Sequence, residues 1–275
     1  MNKAWEAIKL HAPKILEIKK IIRESKDVKT LIFPWQGKFP FPGQFMMIWD
    51  FKDEKPMSVS LIDKTNKEIG VSIKKVGPFT SRIHRLKKGD QLGLRGPYGR
   101  GFTIEGHRIL AIGGGIGMAP IVALVEEARA RDFEVDVIVA AKTYDELLFL
   151  ERLKKAGTKI FTCTDDGSCG FKGLATDRLE SLEGFYDMAF VCGPEPMMKG
   201  IFERLEDKGI VGQFSLERYM KCAMGLCGQC CLDDTGWRVC IKGPVFWSHE
   251  LKMIKEFGEY KRDAAGVIRS LGGKN

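Results

Sequence analysis

Apolar and polar positions alternate in short bursts over the first third of the chain. The runs Ile15–Ile22, Lys29–Phe33, Gln44–Trp49, Met57–Ile62, Glu68–Lys75 and Gln91–Arg95 are rich in β-branched and aromatic residues and are separated by turn residues, the pattern of short strands. Six runs at this spacing predict an antiparallel barrel. After Gly106 the period changes. Strand-like runs at Arg108–Ile112, Glu134–Ala141, Thr158–Cys163 and Tyr186–Cys192 now alternate with helical stretches at Ala119–Arg131, Asp145–Lys155, Leu174–Leu182 and Pro196–Lys208. That alternation predicts a doubly wound parallel sheet, with Val211–Leu216 as a candidate last strand. Beyond it the chain turns cysteine- and glycine-rich, then basic and weakly apolar from Lys252 to Asn275. The fold class is a multidomain β plus α/β protein: an antiparallel β-barrel domain over 1–104, a doubly wound parallel-sheet domain over 105–214, and a small C-terminal cysteine module with a tail over 215–275. No internal repeat is found, and the first dozen residues read as an extension preceding the barrel.

A length of 275 residues suits two or three compact units, each with its own core. With 44% hydrophobic and 29% charged residues the composition is that of a soluble globular protein. The net charge of +8 is interleaved with acids along the chain, which argues against nucleic-acid binding. Charges throughout Met1 to Ile22 exclude the apolar stretch of a signal peptide, and a cytoplasmic address is expected. The uncharged run Ile109 to Val125 is broken by glycines and Pro120, so it reads as strand, turn and helix start, with no membrane span.

Eight cysteines without an export signal are expected as thiols or metal ligands, and five fall between Cys222 and Cys240. Cys222, Cys227, Cys230 and Cys240 stand as C-x4-C-x2-C-x9-C, the order of a plant-type 2Fe-2S ligand loop with a shorter last gap. Gly225 and Gly228 let the backbone wrap closely enough for amides to reach sulfur. Four cysteines also satisfy tetrahedral zinc, but zinc knuckles come as paired CxxC and only Cys227–Cys230 has that spacing. Cys231 is an alternative to Cys230. Cys163, Cys169 and Cys192 suit small buried thiols, Cys192 with a possible further role.

Two turns suit phosphate binding. Ile109–Ile112 leads into Gly113, Gly114, Gly115, Ile116, Gly117 and then Pro120 near a helix start, although the run lacks the G-x-G-x-x-G spacing. Cys192–Gly193–Pro194–Glu195–Pro196 follows the fourth parallel strand, at the carboxyl edge where ligands bind. In the barrel, Lys55–Pro56–Met57–Ser58–Val59–Ser60 and Val76–Gly77–Pro78–Phe79–Thr80–Ser81 are short-side-chain segments, the second opening a helix that suits a pyrophosphate.

Taken with Ser215 to Cys222 and Cys240 to Phe246, these segments resemble the ferredoxin-reductase superfamily and, within it, the FAD and iron–sulfur electron transfer subunits of B-type dihydroorotate dehydrogenases, over roughly Lys14 to Asp263. The resemblance implies FAD, a 2Fe-2S cluster and NAD(H). It places Lys55 to Ser60 against the isoalloxazine and ribityl chain, and Gly77, Thr80 and Ser81, flanked by Lys74 and Val76, at the FAD phosphates. Gly96–Pro97–Tyr98–Gly99 matches the interdomain hinge, Gly113 to Pro120 the nucleotide phosphates, and Cys192, Gly193 and Pro194 the nicotinamide side. Lys55 stands where relatives usually carry Arg, and an ammonium cannot reproduce a planar fork. Glu217 matches a position near the flavin and is a candidate for tuning or protonating its reactive edge, or a solvated strand-end carboxylate; Cys192 faces the flavin or is simply buried.

A nicotinamide gives up two electrons together and a 2Fe-2S centre takes one, so a flavin must stand between them. His11, His84, His107 and His249 read as surface or structural. The resemblance also implies a partner, an FMN-containing catalytic subunit of the dihydroorotate dehydrogenase type, in a heterotetramer of two of each. Rival readings are the flavin subunit of a soluble hydrogenase or of a transhydrogenase, and, from another class, a redox sensor or zinc-stabilised interaction module. NAD is favoured over NADP by the family alone, since Lys142 and Arg152 are candidates to meet a 2′-phosphate. The basic tail is a candidate for docking an acidic surface or a mobile terminus.

Overall fold

The computed structural model describes residues 11–271, so most of the N-terminal extension lies outside the described residues. The first layer is one curled sheet with strand order β1-β7-β4-β5-β6-β3-β2: β1 (Lys14–Glu17), β2 (Lys20–Arg23), β3 (Val28–Pro34), β4 (Phe45–Trp49), β5 (Glu54–Asp63), β6 (Glu68–Lys74) and β7 (Gln91–Tyr98). The expected first strand is thus two. It bends at Ile18 and Lys19, whose amides donate to Asp90 O and Ile32 O, both at 2.9 Å, so the bend joins the two ends of the sheet. Ile18 turns inward at the bend and is buried, which closes this side of the curled sheet, while β5 keeps a free edge at Glu54 to Ser58. Leu31, Phe33, Trp35, Met46, Ile48, Val59 and Val71 fill the interior, and the helix α1 (Pro78–Ile83) adds Phe79 and Ile83.

The second layer is a sheet of order β11-β10-β9-β8-β12-β13-β14. Its strands are β8 (Arg108–Gly114), β9 (Glu134–Ala141), β10 (Lys159–Thr164), β11 (Phe171–Lys172), β12 (Met188–Cys192), β13 (Val211–Ser215) and β14 (Val245–Trp247). All pairings are parallel except β13 with β14. The helices are α2 (Met118–Arg129), α3 (Leu150–Lys155), α4 (Ala175–Glu180) and α5 (Glu195–Asp207). Every residue of α2 from Met118 to Val125 is buried, because this helix packs on the sheet with one face and on barrel strand β5 with another.

Three expectations change. The stretch Asp145–Lys155 is α-helical only from Leu150, after a 3-10 turn at Tyr144–Glu146, because Leu147, Leu148 and Phe149 are spent in the core and Phe149 takes a left-handed φ of 61°. Strand β14 crosses the expected boundary at residue 214 and joins the second sheet. Up to residue 271 the basic tail forms a hairpin, β15 (Tyr260–Arg262) and β16 (Ile268–Ser270), and two of its charges are paired locally: Arg262 holds Asp233 through Nε at 3.0 Å and Nη2 at 2.9 Å, and Arg269 pairs with Asp263. Among the described residues no helix is long and apolar enough to cross a membrane.

Candidate functional site

The cysteine loop is pinned by apolar anchors. Leu216 and Met220 are buried ahead of Cys222, Ala223, Leu232 and Val239 are buried within the loop, and Leu216 N donates to Pro244 O at 2.9 Å. Gly225 and Gly228 take left-handed φ values of 77° and 72°, as the wrapping requires, and Ala223 does so at 61°. Amides point at sulfur: Leu226 N and Cys227 N lie 3.3 and 3.4 Å from Cys222 Sγ, and Cys240 N lies 3.4 Å from Cys230 Sγ. Burial opposes ionisation of Cys222, but the amides of Cys227 and Met224 and the Cys227 thiol bring it down to about 7. Cys230, hydrogen-bonded to the Cys240 thiol, falls to about 6, and Cys240 is raised in turn.

The thiols lie near one another: Cys227 acts on Cys222, and Cys240 feels both Cys230 and Cys222. Among the described residues no three His, Cys, Asp or Glu side chains converge on a single-ion position. Cys231 turns away and donates its thiol to Gly236 O at 3.8 Å, which leaves Cys230 beside Cys240. Four soft sulfurs with backbone donors aimed at them fit the thiolates and sulfides of an iron–sulfur cluster.

The segment expected at the flavin has an open edge. Residues Glu54 to Ser58 of β5 pair with β4 alone, and pairing with β6 begins at Val59. Pro56 is tolerated there because the free edge asks nothing of the missing N–H. Lys55, Pro56, Met57 and Ser58 are half-buried, whereas Val59 and Ser60 are fully buried. Ser60 is occupied inside the barrel, accepting from Ser72 Oγ at 2.7 Å. At the expected phosphate turn, Thr80 Oγ1 accepts from the amides of Val76 and Gly77 at 2.9 and 3.0 Å. That bond shapes the turn and takes these two donors, while Ser81 stays partly exposed in the first helical turn.

The strand order reverses between β8 and β12, the switch point where ligands of such sheets bind. Gly113 faces Cys192 across it. The glycines are required mainly by packing: a Cβ would lie 2.0 Å from Met118 Sδ at Gly113, 2.6 Å from Met197 Sδ at Gly114, 2.4 Å from the Cys192 carbonyl oxygen at Gly117 and 2.5 Å from Met197 Cε at Gly193. Gly115 alone of the five, with φ of 52°, faces open space. Pro120 is buried in the first turn of α2, and Pro194 is exposed at the start of α5. Cys192 donates to Ser215 O at 3.7 Å. Burial pushes its thiol up to about 12 against that hydrogen bond, with Glu217 adding to the rise, so it is a neutral thiol near a carboxylate. Glu217 itself is exposed.

A cleft of about 290 Å³ opens beside Gly115 and Ile116, walled by Thr143, Asp145, Glu146 and, from the barrel, Lys74. Lys74 Nζ lies 3.6 Å from Glu146 Oε2, so its charge faces the α/β domain. The sequence reading passed over Thr143, Asp145 and Glu146, although their place just past the end of β9 marks where a ribose is met. Arg152, by contrast, is committed elsewhere: it holds Glu126 at 2.6 and 2.8 Å and donates to Ser60 O at 2.8 Å, so a 2′-phosphate has no claim on it. Lys142 is exposed.

Three charged residues missed in the sequence tie these parts together. Arg95 reaches from β7 to the Cys222 carbonyl at 2.9 Å and to Glu54. Arg218, between the buried Leu216 and Met220, grips Glu195 at the start of α5. Arg100 donates to Val245 O and pairs with Glu250. Their signal was a lone arginine within or beside an apolar run, which marks a buried charge in need of partners. The hinge segment is likewise packed: a Cβ on Gly99 would lie 2.5 Å from Pro244.

The model described as the iron-sulfur cluster binding domain of dihydroorotate dehydrogenase B matches residues 217–252, and an oxidoreductase NAD-binding domain matches 111–203. The chain is 62% identical over 258 residues to a probable dihydroorotate dehydrogenase B (NAD(+)), electron transfer subunit of Methanothermobacter thermautotrophicus, covering 94% of this chain and 97% of the relative. A subunit of the same description from Methanocaldococcus jannaschii is 47% identical over 260 residues, covering 94% and 98%. Among solved structures, an NADH-dependent reduced ferredoxin-NADP oxidoreductase studied for flavin-based electron bifurcation superposes with a TM-score of 0.77 at 26% identity, covering 89% of this chain and 94% of the other. The cytochrome b5 reductase domain of Ulva prolifera nitrate reductase shares the fold, with a TM-score of 0.60 at 21% identity over 72% of this chain and 94% of that one. Since relatives this similar are matched nearly end to end, the chain belongs to the family of dihydroorotate dehydrogenase B electron transfer subunits.

Proposed function

We propose that this chain passes electrons between a dihydroorotate dehydrogenase catalytic subunit and NAD(H) through a 2Fe-2S cluster and FAD. The observation that carries the reading is a contact: Lys55 Nζ sits 4.9 Å over the Tyr219 ring, joining the open edge of β5 to the residue three positions before Cys222. The segment suited to the flavin and the loop suited to the cluster are therefore neighbours.

FAD bound here would exchange electron pairs with a nicotinamide and single electrons with the cluster. The chain's own residues do the holding. Lys55 to Ser58 would present backbone and short side chains to the isoalloxazine, and Thr80 and Ser81, with Lys74, Val76 and Gly77 around them, would shape the phosphate end. Gly113, Gly114, Gly115, Gly117 and Pro120 would set the nucleotide turn, with Gly193 and Pro194 facing it, Cys192 at the nicotinamide side and Glu217 near the flavin's reactive edge. Cys222, Cys227, Cys230 and Cys240 would ligate iron. Asp145 and Glu146, just past β9, suit a ribose hydroxyl and support NAD over NADP, with Lys26 and Lys74 lining the same cleft.

The partner in this reading is an FMN-containing subunit, in a heterotetramer of two of each and in the cytoplasm, and the modules divide by cofactor as residues 1–104, 105–214 and 215–275. The test is a visible spectrum and metal count of purified protein, followed by anaerobic NADH and then by dihydroorotate with the catalytic subunit present. Flavin and cluster bands, about two irons per chain, bleaching by NADH and dihydroorotate-dependent NAD+ reduction are expected. A colourless, zinc-loaded protein would sink the reading.

A further inference from the structure

Arg95 is a charge inside the protein, 8% exposed, and its partners come from two separate parts of the fold. Its Nε and Nη2 meet Glu54 Oε1 and Oε2, both at 2.6 Å, while Nη1 donates to the Cys222 carbonyl at 2.9 Å and to the Tyr98 hydroxyl at 3.2 Å. Burial works against the guanidinium, but Glu54 and Tyr98 more than offset it, so the charge stays on. The pair is asymmetric: the Glu54 side chain is 23% exposed, so water screens the anion more than the cation. The face turned to the cluster loop is therefore net positive, and Glu54 immediately precedes the flavin-edge segment at Lys55.

We propose that Arg95 is a positioning residue that locks the Cys222 end of the cluster loop to the flavin strand and holds the cluster's reduction potential up. The inference rests on the functional reading above. Reduction of the cluster adds one electron, and a fixed cation beside the loop favours the more negative state. Hydrogen bonds and charge next to the ligands are the levers by which a protein sets such potentials. A guanidinium fork reaches the carboxylate and the loop carbonyl at once, which an ammonium cannot do.

The experiment is a potentiometric titration of the holoprotein, with the cluster followed by electron paramagnetic resonance and the flavin by absorbance. It uses wild type, Arg95→Met, Arg95→Lys, Glu54→Gln and the Arg95→Met/Glu54→Gln double variant, with iron content and melting temperature recorded for each. Arg95→Met is expected to lower the cluster potential enough to move the one-electron equilibrium tenfold toward the flavin, about 59 mV for a one-electron couple. Glu54→Gln is expected to raise it, Arg95→Lys to stay near wild type in potential while losing thermal stability, and the double variant to return toward wild type. Iron-loaded Arg95→Met and Glu54→Gln proteins with unchanged cluster potentials, or with shifts of the same sign, would overturn the proposal and leave Arg95 a mere staple. If Arg95→Met holds no iron, Glu54→Gln decides alone, and a potential that is unchanged or lowered overturns it. Wild-type protein without flavin or iron would remove the functional reading and this proposal together.

Discussion

Arg218 grips Glu195 through two hydrogen bonds of 2.6 and 2.9 Å, with both side chains buried. The same guanidinium holds the buried Glu256 through Nε at 2.8 Å, and Glu256 accepts from Asp233 N at 2.9 Å. Glu195 opens the helix after the nucleotide turn, and Arg218 leads into the cysteine loop. One buried triad therefore joins the two halves of the site. Replacing Arg218 by Met leaves two carboxylates buried without their cation, and a loss of about 3–5 kcal/mol is expected. Denaturant unfolding checks it. Adding Glu195→Gln and Glu256→Gln should recover part of that loss, and a loss below about 1 kcal/mol, as for a surface pair, would contradict the burial argument.

The two loop glycines are not equivalent. A Cβ at Gly225 would lie 2.9 Å from Ile241 Cγ1, whereas one at Gly228 meets nothing within 4 Å. Both have left-handed φ, so each Ala substitution carries a backbone cost of about 1–2 kcal/mol. Gly225→Ala alone adds the clash. It should lose more iron per chain than Gly228→Ala, and trimming Ile241 to Ala should restore part of it.

Of the adjacent cysteines, Cys230 is 3% exposed against Cys240, and Cys231 is bound to the Gly236 carbonyl. Cys231→Ser should therefore retain about two irons per chain and the visible bands, and Cys230→Ser should lose both. The reverse result would reassign the ligand.

Glu250 sets a pH dependence. Burial opposes its charge, but Arg100, Lys242 and the Trp247 amide hold the carboxyl down to about 2 from an ordinary 4.5. A lowered carboxyl pKa stabilises the fold above the unfolded value, and that contribution is lost as pH falls through the folded one. The difference in unfolding free energy between wild type and Glu250→Gln should be constant above about pH 5 and shrink steadily toward about pH 2. Urea unfolding across that range measures it, and a gap independent of pH would be inconsistent with the ion pair.

Much of this protein is local and was legible one residue after another. The spacing of Cys222, Cys227, Cys230 and Cys240 and the glycines at Gly225 and Gly228 announce a metal loop, because ligation and left-handed turns are demands on neighbours in the chain. The short β-branched and aromatic run that marks β3 and the repeating strand and helix after Gly106 name the two folds for the same reason. The bend at Ile18 and the late start of α3 were not legible. In both, an unbroken apolar run is divided by where the core lies, and a run carries no record of that.

What tertiary structure alone decided is the wiring. Arg95 and the Cys222 carbonyl are 127 positions apart, and Arg218 and Glu195 are 23 apart with a strand between them. No periodicity relates such residues, since a charge can enter the interior only where partners arrive from other elements to meet it. Composition and spacing thus determined which chemistry the chain can hold, and the crossing of the barrel, the parallel sheet and the cysteine loop decided which side chains bind the three sites into one path.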